Sequence, residues 1–337
     1  MHNSLRFAIA ALVFPSTALA NDGVAAVGIG GIVFGKTDAI AMKKEVLTIS
    51  HDLVSVDYEF LNESANDVEE TIVFPLPPYT AAKQMSEAYY GQPDGFSIRV
   101  DGKPVAFQSR LVARSPKGKD VTAQLRKLGL SNKEIAYTPS FARKSGKVAA
   151  FTEQQARQMI ELGLLDKDSW DPSWEVEVNY VWTQKFPPNR IVRVHHDYQP
   201  FVAAGPGESA MNEEFEKKYC ADQAYVDAYW RIVERKEGGF DVANVAYILT
   251  TGNTWKRGIE DFTLNIVKRK PDELVSLCFP GKAQKVDALT YRFHLSNFHP
   301  SKDLDVAFGN VADNESADGV MPRLPQETLS TTTTAHP

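Results

Sequence analysis

Between Val245 and Phe279 apolar residues recur at every second position in three successive runs. Val245, Tyr247 and Leu249 form the first, Phe262, Leu264 and Ile266 the second, and Val275, Leu277 and Phe279 the third. The breaks between them hold Gly252, Asn253, Gly258 and Pro271. A period of two, interrupted by such residues, predicts antiparallel strands with one buried face, so this stretch reads as three strands in a row. The same rhythm appears earlier. Val54, Val56, Tyr58 and Phe60 alternate with Ser55, Asp57 and Glu59, and Ile72, Phe74 and Leu76 return after the turn at Asn62–Asp67. Pro75, Pro77 and Pro78 then end the strand, because proline donates nothing to a ladder. Phe96, Ile98 and Val100 lead through Asp101-Gly102, a type I′ turn dipeptide, to Val105 and Phe107. Trp174, Val176, Val178, Tyr180 and Trp182 form the strongest single strand, and Arg190–Tyr198 follows Pro187-Pro188. Leu289 to Leu295 and Leu304 to Phe308 supply the last two.

The period lengthens between positions 115 and 169. Val121, Leu125 and Leu128 share a helical face, with Asp120 as N-cap and Gly129 past the end. Thr152 and Gln155 fit a capping box ahead of Ala156, Met159 and Ile160. Helical spacing returns with Phe215 and Tyr219, then with Val226, Tyr229 and Val233 behind Asp222. The expected fold is mainly β: two antiparallel, β-sandwich-like domains, the first with a helical insertion and the second with a helix beside it. Gly205-Pro206-Gly207 marks the expected boundary between residues 21–205 and 206–310. Residues 311–337 read as a disordered tail.

Residues 1–20 stand apart. Arg6, the apolar run Phe7–Phe14 and the small residues of Ala18-Leu19-Ala20 form the pattern of a secretory signal peptide cleaved before Asn21. Pro15, Ser16 and Thr17 interrupt the run short of the roughly 18 apolar residues of a membrane anchor. No later apolar stretch is long enough to span a bilayer. The expectation is therefore a periplasmic protein without a transmembrane span. With 43% hydrophobic and 24% charged residues the chain has ordinary globular composition, and its net charge of −6 argues against nucleic-acid partners. In an oxidising compartment its two cysteines, Cys220 and Cys278, most simply form one bridge, the alternative being two separately buried thiols.

Candidate chemistry is sparse. Gly30 to Thr37 formally satisfies the phosphate-binding-loop pattern, but the intervening Gly31-Ile32-Val33-Phe34 looks like strand, with little chain before it for the strand the motif requires. In His195-His196-Asp197 neighbouring side chains point to opposite faces, so the run cannot supply three ligands to one metal. His196, grouped with Tyr198, reads as an inward, hydrogen-bonded polar site. No nucleophile elbow is present. Asp303 with Asp305, and Glu260 with Asp261, are the acidic pairs that could supply an acid and a base. Neither a cofactor nor a resident metal is expected. The aromatics Tyr79, Tyr89, Tyr90, Trp170 and Trp255 fall in apparent loops or at strand ends, where a ring can stack on a sugar or a partner's side chain or else close a sandwich core. Trp255, beside Asn253 in a turn rich in Gly, Asn and Thr, is the leading binding candidate.

Several stretches taken together resemble a known family: Gly30 to Ile40, Phe74-Pro75-Leu76-Pro77, His196-Asp197-Tyr198-Gln199-Pro200, Tyr219-Cys220, Leu249 to Trp255, Ile259 to Phe262, and Asp303 to Val306. They are similar to the secreted bacterial proteins grouped as domain of unknown function 4424, with the Thr-Gly-Asn-x-Trp segment the most specific part. The resemblance implies a secreted address and a β-rich fold, and it implies no activity. Tyr58–Pro77 also resembles the strand pair of vault-protein-type inter-alpha-trypsin domains, which are β-sandwich modules. The functional expectation is a non-enzymatic module that binds a partner protein, an envelope polymer or a glycan. The alternative is an extracytoplasmic hydrolase acting on envelope carbohydrate or peptide through carboxylates or His196.

Overall fold

Most strands fall where period-two alternation places them, although the long strand Ile40–Ile49 is not among those expected and residues 105–107 are not strand, and they pair in an order that alternation does not reveal. The computed structural model describes residues 22–28, 31–83, 96–136, 138–139, 151–200, 202–206, 212–236 and 240–311. The leader, Tyr89, Tyr90 and the tail after Val311 lie outside these residues.

An eight-stranded sheet is the common layer. Its main strands are β3 (Ile40–Ile49), β4 (Val54–Asn62), β6 (Ser97–Val100), β9 (Ile191–Tyr198), β12 (Ile259–Val267) and β14 (Thr290–Phe298), after β1 (Gly23–Gly28), β2 (Gly31–Phe34) and β5 (Val68–Pro75) of a second sheet are counted in chain order. The order across the layer is β14-β12-β3-β4-β9-β6, with Gln284–Lys285 and Lys103–Pro104 as short edges. All pairs are antiparallel except β12 with β3. The six-stranded sheet runs β7 (Gln108–Arg114), β8 (Glu175–Phe186), β5, β1, β2, with Tyr79–Thr80 added on β8. A four-stranded sheet runs β10 (Val202–Pro206), β11 (Asp241–Tyr247), β15 (Leu304–Gly309), β13 (Leu274–Leu277).

The six- and four-stranded sheets both contribute to the core against the same inner face of the large one. Phe60 meets Phe186, and His196 meets Trp182 and Phe74 across the first interface. Tyr58 meets Tyr247 hydroxyl to hydroxyl at 3.0 Å, and His51 lies edge-on to Phe308, across the second. The fold is mainly β and sandwich-like. The far face of the four-stranded sheet is covered by helices α4 (Glu213–Tyr219) and α5 (Gln223–Lys236), whose Phe215, Tyr225, Tyr229 and Ile232 pack on Val242 and Ala307. Cys220, just past α4, is bonded to Cys278 after β13 with Cα atoms 5.0 Å apart, so the bridge pins helix to sheet.

Two expectations change. The three strands from Val245 to Phe279 do not pair with one another. β11 and β13 both flank β15, while β12 between them in sequence crosses to the large sheet. The expected boundary also fails to separate two sheets. Gly205 and Pro206 pair with Val242 and Asp241 inside a strand, and β12 and β14 complete the sheet that β3 and β4 begin. Sheet order depends on which inner faces match across long sequence separations, and no local signal carries that.

Local readings hold more closely. Asp101 and Gly102 both have positive φ, as a type I′ turn demands. Thr152 and Gln155 make the reciprocal capping box of α3 (Glu153–Glu161). Ahead of α1 (Thr122–Lys127), Val121 rather than Asp120 occupies the N-cap, and Asp120 instead accepts from the Thr122 N–H at 2.9 Å. Two short helices, α1 and α2 (Asn132–Ala136), lie against β7. Among the described residues no helix is long and apolar enough to cross a membrane.

Candidate functional site

The segment Thr250–Thr254 is a 3₁₀ turn, and its polar groups are spent on the protein itself. The Asp303 carboxylate accepts from the Leu249 and Thr250 N–H groups and the Thr250 hydroxyl at 2.8–3.1 Å. Burial raises the pKa of Asp303, and the bonds from Thr250 and Leu249 oppose the shift. Asn253 donates to the Pro300 carbonyl at 2.8 Å. The Thr254 hydroxyl accepts from Val24 N–H, and its carbonyl accepts from Thr37 N–H. Trp255 donates its indole N–H to the Asp22 carbonyl at 2.6 Å, and its ring packs on Phe60 and Phe186. One short turn thus fastens β1, the approach to β3 and the β14–β15 connection. Gly258 closes it at φ +68, where a Cβ would fall 2.7 Å from the Phe298 carbonyl and His299.

This placement corrects the leading binding candidate. Trp255 is 0% exposed, so no ligand can stack on it without unfolding the turn. Asn253 serves the same anchor. Trp170, at φ +59, is half-buried against the main core and donates its backbone N–H to Asp166. The glycine-rich Gly31–Phe34 is a strand paired with β1, as its sequence suggests, and not a phosphate cradle.

On β9 the two faces separate as alternation requires. His196 points inward at 0% exposure and its Nε2 lies 2.9 Å from the equally buried Asp22 carboxylate. Burial raises the Asp22 pKa, partly offset by His196. Tyr58 packs on His196 and meets the Tyr247 hydroxyl, Tyr198 follows two residues on along the same face, and burial pushes all three phenols up. Tyr198 is 3% exposed against Phe74 and Phe96. This is a sealed polar node in an aromatic core.

The outer face is different. His195 stands between two carboxylates, with Nδ1 2.8 Å from Asp57 and Nε2 2.8 Å from Asp197. Partial burial lowers its pKa, but the bonds from Asp197 and Asp57 outweigh this and the net direction is upward. Arg99 reaches Asp197 at 3.5 Å, and Arg193 reaches Glu59 at 3.1 Å. Register lays these side chains in rows, with Lys44, Glu59 and Arg193 in one and Val46, Asp57, His195 and Arg99 in the next. They line an open hollow of about 470 Å³. Farther along the face His294 lies 3.5 Å from Asp261. The signal for this surface was present as the polar half of each alternating strand, but only the cross-strand register brings the members together.

The acidic pairs are engaged elsewhere. Glu260 binds Lys43 and Arg257, and Arg257 also forks onto Glu63, whose pKa falls to about 2 because Arg257 holds it ionised. Asp305 pairs with Lys218 on α4 at 3.4 Å. Among the described residues no group of three or more His, Cys, Asp or Glu side chains is placed to hold a metal ion.

A family described as a domain of unknown function, DUF4424, matches residues 20–307. A structure from Legionella pneumophila with a conjectural nutrient-binding name aligns over 87% of this chain and 73% of its own, at 15% identity and a TM-score of 0.41. The M1 zinc metallopeptidase of Deinococcus radiodurans aligns over 80% of this chain and 42% of its own, at 8% identity and a TM-score of 0.27. For the leukotriene A4 hydrolase of Saccharomyces cerevisiae the figures are 80%, 29%, 10% and 0.28. The chain therefore spans less than half of either enzyme. No curated protein matches the sequence.

Proposed function

The chain belongs to the DUF4424 family, whose description assigns no activity, and we propose that it is an exported, non-catalytic binding module for a component of the cell envelope. Its binding surface is the outer face of the eight-stranded sheet. The observation that supports this is the contrast between the faces of that sheet: the inner one is dry core, whereas the outer one carries a broad polar surface with a hollow of about 470 Å³. That volume lies in the range of about 300–1,000 Å³ usual for ligand sites. Export rests on Arg6, the Phe7–Phe14 run and Ala18-Leu19-Ala20, and the Cys220–Cys278 bridge suits an oxidising compartment.

A hydrolase fits the geometry less well. Both ring nitrogens of His195 face carboxylates, so neither is free to take a proton from a nucleophile. His196 is sealed from substrate. The test is co-sedimentation of the protein with insoluble envelope material. The wild type pellets with it, and Arg99→Gln/Arg193→Gln stays in the supernatant with its thermal midpoint nearly unchanged. Equal pelleting of both forms, or none by the wild type, defeats the outer-face reading.

A further inference from the structure

Resting on that outer-face reading, we propose that the hollow binds an acidic saccharide: a hydroxylated ligand carrying single carboxylate charges, held by Arg99, Arg193 and Lys44 and by the carboxylates of Asp57 and Glu59. The hollow is rich in unspent donors. A guanidinium has five N–H groups. Arg99 uses one on Asp197 and Arg193 uses one on Glu59, while Lys44 has no ion-pair partner among the described residues. All three line the same hollow, so three cations converge there with most of their hydrogen-bonding capacity open. Arg99 and Arg193 keep N–H groups to spare beyond the carboxylates they pair with, and a neutral ligand would leave the Lys44 charge without a partner. A planar carboxylate matches the fork of a guanidinium.

The acidic members of the lining decide the rest. Asp57 gives one oxygen to His195 and Glu59 gives one to Arg193, leaving each an acceptor for a ligand hydroxyl. The same carboxylates would repel a phosphate dianion, which carries twice the charge in the same place. Alternating donors and acceptors along the hollow suit a ring bearing hydroxyls beside one carboxylate. The sheet register fixes this spacing, since His195 lies opposite both Asp57 and Arg99.

The experiment titrates the mature protein calorimetrically with tri-galacturonate, its neutral methyl ester, inorganic phosphate and tri-glutamate. The expected result is binding of tri-galacturonate, about tenfold or more weakened by Arg99→Gln or Arg193→Gln. The ester and phosphate bind at least about tenfold more weakly than the acid. Arg190→Gln, whose residue pairs with Asp101 outside the hollow, leaves the affinity unchanged. Ester binding as tightly as the acid, phosphate binding more tightly, or tri-glutamate binding equally overturns the assignment, as does no saccharide binding at all. Envelope co-sedimentation keeps the two claims apart. If it still depends on Arg99 and Arg193 while tri-galacturonate fails, only the ligand class is wrong.

Discussion

His195 and His196 are neighbours on one strand, and each stands 2.8–2.9 Å from a carboxylate, yet they occupy opposite environments. His196 and Asp22 are shut between two sheets with no exposure, where a polar group without its partner costs most. His195 is partly open to solvent, shares its charge with Asp57 and Asp197, and sits where water can replace any bond it loses. The same residue type with the same kind of partner is locked in the core on one face and partly open to solvent on the other. Burial, and not the identity of the pair, makes the difference.

The sharpest way to break that contrast is to remove each imidazole in turn. His196→Ala leaves a buried carboxyl without its partner and is expected to cost about 3–5 kcal/mol in urea unfolding. Its outer neighbour, His195→Ala, is expected to stay within about 1 kcal/mol. A smaller loss for His196→Ala than for His195→Ala would sink the distinction. Next comes the turn that holds Asp22 in place. Trp255→Ala removes a fully buried ring together with its bond to the Asp22 carbonyl and is expected to cost about 3–5 kcal/mol. Envelope binding by the folded fraction should survive it. Loss of binding in protein that remains folded would return Trp255 to the recognition surface.

The smallest effects lie in pH. Arg257 depresses Glu63 to about 2, so this pair adds stability above the ordinary carboxylate range and loses it as pH falls toward 2. The opposite sign holds for His195. Its pKa is raised, so its contribution is complete below about 6.5, the ordinary imidazole value, and fades as pH climbs through the folded value. Midpoints recorded across pH should show a shallow acid limb flattened by Glu63→Gln and a shallow limb above about 6.5 flattened by His195→Asn. A limb left unchanged by the substitution assigned to it would show that the pair named is not its source.

Much of the fold was legible before any coordinates. Alternation placed most of the strands but missed Ile40–Ile49, Asp101-Gly102 marked the turn, Thr152 and Gln155 marked a helix start, and the most specific part of the family resemblance proves to be an anchor. The candidate site was legible only in part. Polar alternation put His195 and Asp197 on one face and His196 on the other, but it misjudged Trp255, because a tryptophan in a Gly- and Asn-rich turn looks exposed until β1 is seen to close over it.

The sequence by itself determined which residues point the same way along each strand, because pleating is local and repeats every two residues. It could not decide which strands become neighbours. That Lys44, Glu59 and Arg193 form a row, or that Asp22 meets His196 across 174 positions, depends on sheets matching inner faces over long separations. Only closure of the core, which removes apolar surface from water wherever along the chain it arises, sets that arrangement.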